Sequence, residues 1–168
     1  MRILGVDPGI TGALALYDTD TGALDVCDMP SVAVRGKNGK TKRHLHEKRL
    51  CAAVRDFLPI DEAIIELVHA MPRQGVTSMF RFGEAAGLIR GIVVALGVPV
   101  SMVAPATWKR VVGLNSDKNL SRITAKAVFP ACEKDFTLVK YADRAEAALL
   151  AWGYHNRGYP KCVTLNDI

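Results

Sequence analysis

Four acidic residues stand where a lone carboxylate is expensive. Asp7 closes the apolar run Ile3-Leu4-Gly5-Val6 and is followed at once by a Pro8-Gly9 turn. Asp is a poor strand residue and costly to bury without a partner, so on this stretch alone it is either a turn former or a site residue. Glu66 interrupts a second apolar run, Ala63 to Val68, where a strand buried on both faces would read as continuously apolar. Asp143 and Glu146 open the last helical segment. Their i, i+3 spacing puts both carboxylates on one face, with Cβ atoms about 5–6 Å apart. Taken alone, that pair could merely complement a helix dipole. If all four meet, they repel one another and push each other's pKa values upward. A hard divalent cation such as Mg²⁺ or Mn²⁺, which takes oxygen ligands, resolves that repulsion. Two such ions can activate a water and stabilise the leaving oxygen of a phosphodiester.

The elements that would position these acids follow from patterning. Strands are expected at 2–7, 12–18 and 23–28, the last two joined through the turn Asp18 to Gly22. Further strands are expected at 63–68 and 98–103. Helices are expected at 45–57, 78–96, 105–111 (opened by Pro105), 117–128 (capped by Ser116) and 142–156. The order β-β-β-α-β-α-β-α-α-α describes an α/β domain. Its five-stranded mixed sheet combines an antiparallel meander with two parallel strands on crossover helices. In such sheets the site lies at the carboxyl ends of the central strands, where Asp7 and Glu66 fall. Trp108 reads as a core residue. The domain is expected to span 1–157, with 158–168 a peripheral tail.

The formal net charge of +5 over 168 residues favours a polyanionic partner. Residues 35–49 hold seven of the 22 Lys and Arg and a single acid, Glu47. Residues 35–43 read as a flexible basic loop. Arg35, Lys37, Lys40, Lys42 and Arg43 on it suit phosphate contacts, although a solvated tip has the same composition. Cys27, Cys51, Cys132 and Cys162 are scattered with no CxxC pair, which argues against zinc and a disulfide framework. With no leader-like start and no uninterrupted apolar span, the expectation is a soluble, cytoplasmic protein. A basic surface around an acidic metal site is the electrostatic arrangement expected of a nuclease.

Gly5-Val-Asp7-Pro-Gly-Ile-Thr-Gly12, Ile64-Ile-Glu66, Pro105-Ala-Thr-Trp108-Lys109 and Asp143-Arg-Ala-Glu146-Ala together resemble the RuvC-like Holliday-junction resolvases of the ribonuclease H-like superfamily. The resemblance covers roughly residues 1–155. Pro72 to Gly83 is more similar to phage and organellar members, and the expected location is the cytoplasm of a bacterial or phage-infected host cell. It implies a ribonuclease H-like fold and a homodimer that makes paired symmetric nicks in a four-way DNA junction, in DNA recombination and repair. Asp7, Glu66, Asp143 and Glu146 would be the catalytic, metal-binding acids of a two-ion Mg²⁺ site in which Mn²⁺ substitutes. Asp7 would bridge the ions, Glu66 would serve the ion on the water side, and Asp143 and Glu146 would complete the second site. Many members carry Asp in place of Glu146 and some His in place of Asp143, which changes reach and charge at that second site. Lys109 and Lys118 match basic positions of the family's DNA-binding surface, though solvated lysines near helix starts have the same pattern. The loop 69–77 would bring His69, Arg73 and Gln74 to the junction centre. Helix 78–96, rich in Gly and Ala, is the candidate dimer contact. Three other readings stay open: a same-fold nuclease on other branched DNA or structured RNA, a non-catalytic junction-binding module, and an ATP-binding sugar-kinase or actin-like relative.

Overall fold

The computed structural model describes residues 1–36, 38–69, 75–160 and 163–164. The first strands form the expected meander: β1 (Arg2–Asp7), β2 (Ala13–Asp18) and β3 (Leu24–Asp28). A hairpin of β4 (Ser31–Arg35) and β5 (Thr41–Leu45) comes next, then α1 (Glu47–Asp56), β6 (Glu62–Glu66), α2 (Val76–Ala95) and β7 (Val100–Val103). Helices α3 (Pro105–Val112) and α4 (Lys118–Val128), two 3₁₀ turns, α5 (Ala142–Arg157) and the two-residue β8 (Val163–Thr164) complete the chain. The main sheet runs β3-β2-β1-β6-β7-β8. Strand β1 pairs antiparallel with β2 and parallel with β6, and β6 pairs parallel with β7. The expected five-stranded mixed sheet is thus present, and β8 extends its edge antiparallel to β7.

Strand periodicity divides the core. Ile3 and Ile64 join the cluster beneath α3, α4 and α5, whereas Leu4, Val6, Ala63 and Ile65 join the opposite cluster beneath α1 and α2. Because alternate side chains share a face, Asp7 follows Ile3 and Gly5, and Glu66 follows Ile64, onto the α5 side. The register Val6↔Ile65 puts the two acids level at the ends of neighbouring parallel strands. Helix α5 lies directly on β1, because a Cβ at Gly5 would overlap the carbonyl oxygen of Ala147. Only glycine lets the helix carrying Asp143 and Glu146 come so close to the strand carrying Asp7.

Two local expectations are corrected. The segment read as a flexible loop is a β-hairpin in which Ala33 pairs with Arg43 and Val34 with Lys42. Its signal was Asn38-Gly39, a hairpin-turn dipeptide after the Val-containing stretch Ser31–Arg35; Gly39 adopts φ +75°, and Gly36 N–H donates to the Lys40 carbonyl at 2.8 Å. Helix α4 is capped by Asp117, whose carboxylate accepts the Asn119 N–H at 2.9 Å, and not by Ser116. The carboxylate is the stronger acceptor at a helix start. No helix among the described residues is long and apolar enough to cross a membrane. Cys27, Cys51 and Cys132 are free thiols.

Candidate active site

Asp7 leaves β1 into a tight turn closed by Gly12 N–H donating to the Gly9 carbonyl at 3.1 Å. Any side chain at Gly12 would run into the Asp7 carbonyl, so this turn requires glycine. The Asp7 carboxylate accepts no hydrogen bond from any described residue. Burial, followed by repulsion from Glu66, Asp143 and Glu146, raises its pKa well above the ordinary carboxylate range, and Lys118 only partly offsets this. All four acids predicted from sequence therefore share one electrostatic neighbourhood.

Glu66 is held by the indole of Trp108, whose Nε1–H donates to Oε2 at 2.7 Å. Burial raises the Glu66 pKa, and the Trp108 hydrogen bond and the Lys109 charge oppose that rise. Trp108 is wholly buried, as expected of a core residue, but it also orients a site carboxylate. The sequence signal was its place in the first turn of the helix after β7, the strand adjacent to Glu66.

Glu146 is 4% exposed. Its Oε1 accepts from Lys109 Nζ at 2.8 Å and from Ser121 Oγ at 3.1 Å. Asp143 Oδ1 accepts from Lys118 Nζ at 2.5 Å. Burial works against the Lys118 charge, but the carboxylates of Asp143, Glu146 and Asp7 outweigh it and raise the ammonium pKa. Lys109 and Lys118 are thus built into the acid cluster. Neither is simply solvated.

The first turn of α5 is pinned by Arg144, which no sequence pattern singles out. Arg144 donates from Nε to Asp28 Oδ1 at 2.5 Å and from Nη2 to Oδ2 at 2.8 Å. Its guanidinium also stacks 3.9 Å above the Tyr141 ring. This bidentate fork ties the end of β3 to the helix start that bears Asp143.

An all-oxygen set of four carboxylates, with Asp7 repelled by the other three and undonated, fits a hard divalent cation. Among the described residues no three acidic, His or Cys side chains converge as a ready cation cage. Instead Lys109 and Lys118 supply the positive charge on Glu146 and Asp143. Of the remaining basic positions, His69 is exposed three residues past Glu66. Arg35, Lys40, Lys42 and Arg43 lie on the β4–β5 hairpin, and of these Arg43 lines a cleft with Lys118 and Asp143. Lys37, Arg73 and Gln74 fall outside the described residues.

No protein-family model matches the chain. A crossover junction endodeoxyribonuclease RuvC from Rhizobium etli is 30% identical over 165 residues, covering 94% of this chain and 92% of that protein. The chain belongs to the RuvC crossover junction endodeoxyribonuclease family. A second RuvC, from Nitratidesulfovibrio vulgaris, is 32% identical over 114 residues, 66% of this chain and 65% of that protein. Among solved structures, Thermus thermophilus RuvC superposes with a TM-score of 0.58 at 19% identity, over 97% of this chain and all of that one. The same RuvC in complex with a Holliday junction substrate gives 0.59 at 18% identity, with the same coverage. The fold is therefore the RuvC, ribonuclease H-like fold that the four motifs implied.

Proposed function

We infer that this chain is a metal-dependent endonuclease that resolves four-way DNA junctions by paired symmetric nicks. The observation that carries this reading is the gathering of Asp7, Glu66, Asp143 and Glu146 at two strand ends and one helix start in a RuvC-family chain. The junction-bound RuvC structure supports the substrate class. The four acids would hold Mg²⁺, or Mn²⁺ in its place, as two ions. When bound, these ions polarise the scissile phosphodiester and acidify a water. The chain's own residues do the positioning. Trp108 orients Glu66, Lys109 and Ser121 fix Glu146, and Lys118 and Arg144 set the first turn of α5. On release of Asp143 and Glu146, Lys118 and Lys109 become available to scissile-strand phosphates. His69, Arg73 and Gln74, in and beside the segment after Glu66, would contact the exposed junction centre. The protein would work in the cytoplasm of a bacterial or phage-infected cell.

A two-fold dimer suits a two-fold substrate, and α2 has the surface for it. Only Ala85, Ile89 and Val93 of its twenty residues are buried. Val76 and Phe80 are 84% and 72% exposed, and a Cβ at Gly83, Gly87 or Gly91 would meet nothing within 4 Å. A helix apolar on its outer side needs a second partner. Phe80→Asp is expected to shift the protein from dimer to monomer in light scattering. On a cruciform plasmid it should convert paired cleavage to single nicks.

Initial rates on a four-way junction, a flap, a replication fork, linear duplex and an RNA–DNA hybrid test the substrate class. The expected order puts the junction first by at least about tenfold. Equal or faster cutting of flaps or hybrid would replace the junction reading with another branched-substrate nuclease. Tight junction binding without cutting in Mg²⁺ or Mn²⁺ would leave a binding module.

A further inference from the structure

The β4–β5 hairpin takes no part in the acid site, yet it holds the chain's densest positive charge. Between Asp28 and Glu47 the sequence has no acid and five Lys or Arg. The hairpin is half-buried at its base, at Ser31 and Leu45, and exposed towards its tip. Among the described residues no carboxylate pairs with Arg35, Lys40, Lys42 or Arg43. Arg43 is instead fixed by Ser31 Oγ, at 3.2 Å from Nε and 2.8 Å from Nη2.

Antiparallel partners share a face, so Arg35, Arg43 and Ser31 point one way and Lys42, His44 and Val34 the other. The two faces look into different clefts. On one side Ser31 and Arg43 line a cleft with Thr11, Lys118, Lys140 and Asp143. On the other, Lys40, Lys42 and His44 face Arg81 of α2. A polyanion whose phosphate reaches Asp143 through the first cleft must therefore lie along Arg43.

We propose that the β4–β5 hairpin is a basic ribbon that grips the phosphate backbone of the duplex arm next to the nick. The proposal rests on the junction-nuclease reading above. Both faces carry cations, and one opens onto the acid centre. Five residues per strand at about 3.3 Å each give a reach of roughly 17 Å. That is the axial length of about five base pairs. The ribbon thus adds affinity without sequence preference, and only when an arm extends at least that far.

The test uses Arg35→Gln/Arg43→Gln, two exposed positions on the face that opens onto Asp143, with circular dichroism and a thermal melt to confirm the fold. Binding of the parent and the variant to a four-way junction is measured across a potassium chloride series. The slope of log affinity against log salt is expected to drop by about two, roughly 0.9 per lost phosphate contact. The deficit should be largest at low salt. On a junction whose arms are trimmed below about five base pairs, parent and variant should bind alike. An unchanged slope, or an equal deficit on trimmed arms, overturns the ribbon and leaves a solvated tip or a protein-contact surface. Failure of the parent itself to bind the junction overturns the nuclease reading as well, so the two failures are told apart.

Discussion

Asp7→Asn is expected to abolish nicking, retain junction binding and raise the melting temperature of the metal-free protein. The loss of cutting follows from removing a carboxylate that no described residue donates to and that three other acids repel. A fall of at least about 10³-fold in rate is expected for a group acting directly on transition-state charge. The stability gain follows from linkage. The raised Asp7 pKa means that the folded state binds its proton more tightly than the unfolded chain does. Between the unfolded and folded values, stability therefore falls as pH rises, and it recovers as Asp7 is protonated. Asparagine removes that charge at every pH, so it should stabilise most at neutral pH and little in acid. The same upward shifts at Asp7 and Glu66 predict that nicking declines as pH is lowered, because the site loses its ionised ligands. A parallel series of thermal melts and nicking rates with pH checks both signs. Equal stability of Asp7→Asn and the parent at neutral pH would show that the carboxylates are not mutually strained.

Lys109→Ala is expected to cost about 3 kcal/mol of stability, because it strands a buried carboxylate. Glu146 and Lys109 side chains are 5% and 17% exposed, and among the described residues Ser121 alone would remain to donate to Glu146. Lys109→Met combined with Glu146→Gln should recover most of that loss, since the pair is then replaced by groups that need no counter-charge. It should not recover cutting. Urea unfolding midpoints measure the first expectation, and a junction-nicking assay on the same samples measures the second. A single variant as stable as the parent would mean that solvent already compensates Glu146.

The legible part of this site follows from periodicity. Asp7 and Glu66 share the parity of Ile3 and Ile64, so the same alternation that buries those residues aims both acids at α5. Asp143 and Glu146 follow from i, i+3 spacing. What could not be read were contacts across long separations in sequence. Trp108 meets Glu66 across 42 residues, Lys109 meets Glu146 across 37, and Arg144 meets Asp28 across 116. Local pattern carries no information about such pairs. Both lysines have the pattern of surface groups, and only the packing of α3 and α4 against α5 brings Lys109, largely covered, and Lys118, still more than half exposed, onto the acids of α5. At residues 35–43 the density of Lys and Arg masks the Asn38-Gly39 turn signal, and the segment pairs as a ribbon.

Mapping cleavage at nucleotide resolution on a synthetic four-way junction, with Mg²⁺ or with chelator, tests the central claim most directly. The expected result is one nick on each of two opposing strands at symmetric positions, dependent on metal and absent in Asp7→Asn. Cutting that persists in chelator, or that survives loss of all four carboxylates, would contradict it.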